Sequence, residues 1–577
     1  MTVAFQTLVE TSRKDIDFEL VEGHWPDDMG GEIFISAPET MNKTPSVLFG
    51  PGYLIRLSLK PGLYQAKPNQ FAWRARCIHT PSTRIYKENP DLYEGTVVGL
   101  VSIFGNVNAV NTAPLVCGER LFVTWDAGRP AEVDASRLSF MGMVGSKASW
   151  GGGSTPSEVL FPTIFSSAHP VYDEERQCMW TSKQDLIEMM PPQLNLYVVR
   201  SDQNNKEVKR WPVEGASIGS SVHSITQSKN WLIFAESGNF KVDFNEMMGM
   251  ERDTIHDFES KIWLVNKQEL DATPAGHAIR PIEVVLKPSI GHCYADDHDE
   301  EGIRLLCEHL DITDLTFSLR EGDLNAHGDP VHSSHYRLYN HSMARSTISE
   351  VIINPTSGEI VNKVARQYPW SWNQQLSAMD YSLEGRRAPK SHHMIYQGFR
   401  PQFITQRAVD QYKEYLPEPL TNQAETPARL VTYQRGTLDI LSSYEFPSLD
   451  QIPSSPTFVP RTNEAGEIIS EPGGHNGYVV VPVLSDQGVS IQLFDASQVG
   501  QGPIAILKGS HQEQVPVLLH TLWMPKVIPP EEYQGEYQRL TLEEDLQDDP
   551  VFASLPDDLK QCVLGISNTA SDNNSSN

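Results

Sequence analysis

Residues 194–213 read LNLYVVRSDQNNKEVKRWPV: an alternating apolar run, a polar Asp-Gln-Asn-Asn turn, and a second run of similar length. Period-two alternation on both sides of such a turn specifies an antiparallel strand pair. The same unit returns at 260–270 with 279–286, at 346–365 (STISEVIINPTSGEIVNKVA) and at 489–507 (VSIQLFDASQVGQGPIAIL). More continuously apolar runs precede several of these, such as NWLIFAES at 230–237 and GYVVVPVL at 477–484. An alternating pair suits an outer hairpin, and a more continuous apolar run suits an inner or middle strand. The spacing is irregular, with long insertions at 141–168 and 320–345, so the repeat is degenerate. The pattern predicts an all-β chain of propeller, barrel or sandwich type, with helical periodicity confined to its last fifty or so residues.

Outward from this core, the chain divides into an N-terminal segment at 1–29, a β domain at 30–525, an acidic helical extension at 526–566 and a tail at 567–577. The tail, SNTASDNNSSN, is expected to be disordered. The extension reads as a surface lid or docking element, or as a solvated tail helix. A net charge of −28 repels polyanions, so no nucleic acid is expected as a partner. The six cysteines, at 77, 117, 178, 293, 307 and 562, form no CxxC pair and suggest a reducing compartment. The N-terminus has no charged head followed by a long apolar run, and no apolar run reaches membrane-spanning length. A cytoplasmic protein, with peripheral membrane contact at most, is the expectation; oligomeric state is not legible.

Eighteen histidines are present, and most need no chemistry. His392 and His393 are adjacent and point to opposite faces of a strand. His332, His335 and His341 lie in a polar insertion and read as exposed, while His24, His256, His277, His298, His309 and His327 sit among charged residues, Gly or Pro. Four others stand at the ends of apolar strands beside small residues: IFSSAHPVYD (164–173), IGSSVHSITQSKNWLIF (218–234), LKPSIGHCYADDHDEEGIRLL (286–306) and VPVLLHTLWMP (515–525). His169, His223, His292 and His520 are too far apart for a local metal loop, and a toroidal fold would bring them to one channel. Four neutral imidazoles suit Fe, Cu, Zn or Ni, and the ligand set alone does not choose.

These four segments, in this order, resemble the metal-histidine segments of the carotenoid cleavage oxygenases. LFVTWDAGRPAEVDASRL (121–138) and SSPTFVPR (454–461) are similar to two further segments of that family, and the likeness runs from about Gly30 to Pro525. The resemblance implies a seven-bladed β-propeller with a loop and helical cap over one face. It implies Fe(II) on His169, His223, His292 and His520, and an apolar tunnel to a metal with an open position for O2. The implied reaction is cleavage of a conjugated C=C bond of a carotenoid-like or apocarotenoid-like substrate into two carbonyl products. Three glutamates behind the histidines are usual in the family; the matching positions here are Asp126, Gln375 and Ser455, so one carboxylate alone is expected in that shell. In the stilbene-cleaving branch a lysine precedes the acidic residue, and Trp125 stands there instead, favouring an extended apolar substrate. Trp125, Phe161 and Phe165 are the expected tunnel residues. In 149–165, Trp150, Leu160 and Ile164 either line a tunnel mouth or membrane contact, or pack the insertion onto the domain. The competing readings are a stilbene-cleaving dioxygenase, a non-catalytic binding propeller and a zinc hydrolase.

Overall fold

The computed structural model describes residues 13–564 except 40–42, 97–98, 157–158, 190–191, 242, 244, 246–251, 253, 298 and 510–514. The expected disordered tail lies outside the described residues. Antiparallel sheets follow one another along the chain. One joins Ala113–Cys117, Arg120–Thr124, Ala131–Asp134 and Ser139–Met143 in sequence order. The next sets Phe165–Ser166 and Val171–Asp173 side by side on Cys178–Met189, followed by Pro192–Asp202 and Val208–Ile218. Three more, each of four strands in sequence order, run Ser221–Gln227 to Ile282–Leu286, Ile290–Ala295 to Ile360–Arg366, and Gln374–Ala378 to Ile440–Glu445. A ten-stranded sheet supplies two further blades joined edge to edge, where Ala505–Gly509 pairs with Arg13–Gly23. The result is a seven-bladed β-propeller.

Residues 13–23, set apart in the sequence reading as an N-terminal segment, are thus a strand of the first blade, pairing on the other side with Gln70–Cys77. The ring is closed by a late strand, Thr521–Met524, which lies against the early strand Glu32–Pro38. The alternating units read from the sequence are the outer hairpins of their blades, as in Pro192–Asp202 with Val208–Ile218. The continuous apolar runs are second strands. Trp231–Ser237 is almost wholly buried, because neighbouring blades cover both its faces. Ile360–Arg366, at an outer edge, is largely exposed.

Strand direction repeats from blade to blade, so every connection from a second to a third strand emerges on the same face. The two longest, 310–346 and 397–428, cover that face as a cap. They meet through an Asn325–Thr405 bridge and share a core that includes Ile312, Phe317, Met343 and Phe399. The helix Gln406–Tyr412 belongs to this cap, its N-terminus closed by the Thr405 hydroxyl. The cap corrects one expectation: His335 and His341 are buried in it, both against Phe403, whereas His332 is exposed.

The C-terminal helices Leu542–Leu546, Pro550–Ser554 and Asp557–Leu564 dock on the propeller. Leu546 and Val563 share a buried cluster with Ile85, Tyr93 and Leu160. Arg129 pairs with Asp545 at 2.6 Å, Lys206 with Glu544 at 2.6 Å, and Lys147 with Asp549. This is a docked element and not a solvated tail. Among the described residues no helix is long and apolar enough to cross a membrane, and all six cysteines are free thiols.

Two fully buried histidines tie strands together in the neutral form. His309 Nδ1–H donates to the Pro288 carbonyl at 2.8 Å, and its Nε2 accepts from Ser349 at 2.7 Å. His393 Nε2–H donates to the Gly474 carbonyl at 2.7 Å, and its Nδ1 accepts from Thr432 at 2.9 Å. Burial pushes both down to about 4. In the unfolded chain each takes up a proton near pH 6.5, so between about 4 and 6.5 the unfolded state binds more protons and stability falls as pH falls. The slope is at most about 1.4 kcal/mol per pH unit for each residue. Urea midpoints measured between pH 6.5 and 4.5 are expected to fall less steeply in His309→Gln and His393→Gln than in the parent; equal slopes would refute the assignment.

Candidate metal centre

The four strand-end histidines converge. His223 lies in Ser221–Gln227 and His292 in Ile290–Ala295, the innermost strands of adjacent blades. His169 sits between the two short inner strands of the preceding blade; its N–H donates to the His223 carbonyl at 3.2 Å, and its own carbonyl accepts from Ile225 at 3.2 Å. His520 immediately precedes the closing strand, and Ser36 N–H donates to its carbonyl at 3.0 Å. All four are therefore fixed by backbone in or beside innermost strands, where side chains face the channel.

Ligand-capable atoms of the four side chains all lie within 4.8 Å of one another. Ring centroids of His169 stand 4.8 Å from His223, 4.8 Å from His292 and 4.3 Å from His520, at steep interplanar angles. Rings that radiate from one point meet edge to face in this way. Metal–imidazole bonds are about 2.0–2.1 Å, so two nitrogens on one ion are at most about 4.2 Å apart, and the cluster is close to that size. Nε2 of His169 and of His292 is buried with no hydrogen-bond partner. Orphaned buried acceptors are costly, and a cation at the shared point satisfies them. Burial holds His169 and His520 well below the usual imidazole range, and the neighbouring imidazoles add to the effect. Both are neutral near pH 7, the form that ligates. The residues therefore fit a divalent metal held by four neutral imidazoles.

Around this set, His223 Nδ1–H donates to Asp126 Oδ1 at 2.8 Å, which leaves Nε2 for a ligand. Phe240 stacks on a face of the same ring, with centroids 4.2 Å apart. Asp126 follows the strand Arg120–Thr124, and its carbonyl accepts from Ser166 N at 2.8 Å, tying this turn to the His169 segment. Ser455 is buried between two short strands; the next residue, Pro456, accepts from Thr521 Oγ1 at 2.9 Å beside His520. Gln375 belongs to the strand Gln374–Ala378, but its side chain lies outside the described residues.

The expectation of a single carboxylate needs correction, because Glu308 stands behind His292 and accepts from its Nδ1 at 3.2 Å. Burial alone would raise Glu308, yet hydrogen bonds from His292 and His392 bring it down to about 2. It was legible in principle. The hairpin around DDHDEEG pairs His292 with Glu308 in register, and directly opposed residues share a face. Counting back from that turn reaches it, because the register runs unbroken from Ala295–Leu305 to His292–Glu308 and its bulge, between Ile290 and His292, lies beyond that pair.

The expected tunnel residues are not all together. Trp125 is buried with Ala109 and Ala127, and Phe165 packs on that group. Gly99, at φ +102°, lies so close that a Cβ there would be 3.2 Å from the indole. Phe161 instead lines a cleft with Asn108, Arg129, Lys147 and Leu542 of the docked extension. Trp150, Leu160 and Ile164 are buried in packing clusters, so the insertion packs onto the propeller at these positions.

The family model described as retinal pigment epithelial membrane protein matches residues 5–525. The chain belongs to the carotenoid cleavage oxygenase family. No curated protein matches it in sequence. Among solved structures, a point variant of the Synechocystis apocarotenoid oxygenase is similar with a TM-score of 0.59 at 14% identity, covering 90% of this chain and 98% of that one. A cobalt-substituted form of the Synechocystis enzyme gives 0.58 at 15%, covering 90% and 98%. The Pseudomonas brassicacearum lignostilbene dioxygenase gives 0.57 at 15%, covering 89% and 96%. These likenesses carry the propeller fold of the oxygenase family across nearly the whole chain.

Replacing any one of His169, His223, His292 or His520 by Ala is expected to remove most bound metal while the protein stays folded. Elemental analysis and circular dichroism check this, and a variant with full metal content would remove that residue from the site. Asp126→Asn is expected to lose metal about 10 to 100-fold more readily in chelator competition; parent-like retention would show that the Asp126–His223 bond has no part in holding the ion. Trp125→Lys places a charge in a buried apolar group and is expected to cost several kcal/mol in urea titration. A change under about 1 kcal/mol would place the side chain in contact with solvent.

Proposed function

We propose that this carotenoid cleavage oxygenase family member is an Fe(II)-dependent dioxygenase that splits a conjugated C=C bond of a carotenoid-like or apocarotenoid-like substrate. One O2 is consumed, and each alkene carbon ends as a carbonyl carrying one oxygen atom. The observation that carries this reading is the convergence of four imidazoles, two of them with buried, unpartnered Nε2 atoms, at one point in the ring. Iron bound there would supply a redox-active Lewis acid toward O2. Four neutral ligands leave the ion's charge undiminished in the inner shell, and the carboxylates behind them orient the rings without occupying coordination positions.

The chain's own residues shape what can approach. Trp125, buried beside Phe165 one residue from Asp126, presents hydrocarbon where a phenolic oxygen would need a polar partner, and supports an apolar polyene. The cap formed by 310–346 and 397–428 supports a water-poor environment on its face of the ring, which strengthens electrostatic interactions inside and limits side reactions. The partners implied are a small apolar alkene and O2.

Iron-loaded protein incubated under O2 with carotenoids, apocarotenals and stilbenes is expected to yield, from the first two classes, pairs of carbonyl fragments whose masses sum to substrate plus two oxygens. Carbonyl products from stilbenes alone would transfer the activity to phenylpropanoid alkenes. No product from any class, with iron near one equivalent, would remove the oxygenase reading.

A further inference from the structure

Glu308 is almost completely buried, and its two carboxylate oxygens face two different imidazoles. Oε2 accepts from His292 Nδ1 at 3.2 Å, and Oε1 stands 3.1 Å from His392 Nε2. The two rings come from different blades. His292 lies on the innermost strand of one, directly across from Glu308, and His392 on the strand Ser391–Tyr396 of the next. His392 is fully buried, its Nδ1 has no partner, and its ring lies 5.6 Å from that of Tyr294. The hydrogen bond to Glu308 is thus the polar tether that the structure gives this imidazole.

A carboxylate in such surroundings is costly unless its oxygens are paired. Here each oxygen has one ring N–H, and the geometry dictates the tautomers. His392 donates from Nε2, and His292 donates from Nδ1. The second donation leaves the lone pair of His292 on Nε2, the atom found buried and unpartnered at the shared point of the four histidines. Charge points the same way. A dication on four neutral imidazoles is an unbalanced buried charge, and Asp126 behind His223 supplies one negative charge. Glu308 supplies the second, which makes the assembly of ion, ligands and carboxylates neutral.

We propose that Glu308, braced across the blade boundary by His392, is a positioning residue for the metal centre: it holds His292 in the ligating tautomer and orientation and supplies half of the negative charge that balances the ion. The proposal rests on the reading of the four histidines as a metal site, and it is independent of the alkene chemistry. It assigns His392, which sequence reasoning leaves without chemistry, a place in the same chain of hydrogen bonds.

The test compares parent, Glu308→Gln, Glu308→Asp, His392→Gln and His392→Leu as full-length protein. Glu350→Gln serves as a control, removing a buried carboxylate of the same blade that pairs with Arg304 of that blade and Arg435 of the next. Co(II) and Fe(II) dissociation constants are read by chelator competition, the Co(II) ligand-field spectrum reports on the ligating rings, and thermal midpoints are taken on metal-free protein. Glu308→Gln keeps the shape and removes the charge, and is expected to weaken Co(II) and Fe(II) binding about 10 to 100-fold and shift the Co(II) spectrum. His392→Gln retains a donor for Oε1 and is expected to bind metal more tightly than His392→Leu. Glu350→Gln is expected to lower the metal-free midpoint with affinity within about threefold of the parent. Parent-like affinity and spectrum in Glu308→Gln, or parent-like affinity in His392→Leu, would overturn the proposal, as would a parent that takes up neither metal. If Glu308→Gln does not fold, the order parent, His392→Gln, His392→Leu decides. A protein that shows this order and cleaves no alkene keeps the proposal and loses the oxygenase reading; one that cleaves alkenes without this order does the reverse.

Discussion

The pairing of Thr521–Met524 with Glu32–Pro38 is the constraint on which the rest of the molecule depends. It joins the two ends of the β domain, turns a row of sheets into a ring, and places His520 at the channel. Ser36 bonds to the backbone on both sides of the fourth ligand, through its N–H to the His520 carbonyl and its own carbonyl to Leu519 N–H at 2.9 Å. Closing the ring and completing the ligand set are therefore one event. A chain that failed to close would leave three histidines on consecutive blades and no fourth.

Closure also explains why the site is costly to build and specific once built. Innermost strands bring four imidazoles together with ring nitrogens that water reaches poorly, and burial keeps His169 and His520 unprotonated. Like dipoles are held close, and two Nε2 atoms are left without partners. A cation resolves both features at once. The negative charge that offsets it sits one bond further out, on Asp126 and Glu308, each reaching its histidine through Nδ1. Distance matters here: carboxylates placed behind the rings balance the charge without filling the positions an open site keeps for reactants.

The outer ring of partners differs from side to side. His223 has Asp126 from the preceding blades, whereas His292 has Glu308 from its own hairpin and His392 from the following blade. On the His520 side, Ser455 stands next to Pro456, whose carbonyl bonds to Thr521. Each arrangement is a local solution to one problem, the fixing of a buried imidazole, and each uses whichever strand lies behind that ring.

Much of this was legible from residues alone. Alternating runs broken by polar turns marked the outer hairpins, continuous apolar runs marked inner or middle strands, and small residues beside strand-end histidines marked His169, His223, His292 and His520. These are local signals, carried by side-chain periodicity over a few residues. Local patterns could not report which strands stand back to back across blades. That decided the rest: Arg13–Gly23 became a blade strand by pairing with Ala505–Gly509, His335 and His341 were buried by a cap assembled from two distant connections, and Trp150 entered a core. Glu308 was one hairpin away, yet only its burial between His292 and His392 gives that carboxylate a partner on each oxygen. The sequence by itself determined the strands and the stock of ligands; tertiary structure alone decided which groups face each other, because a closed ring sets neighbours by blade order and not by distance along the chain.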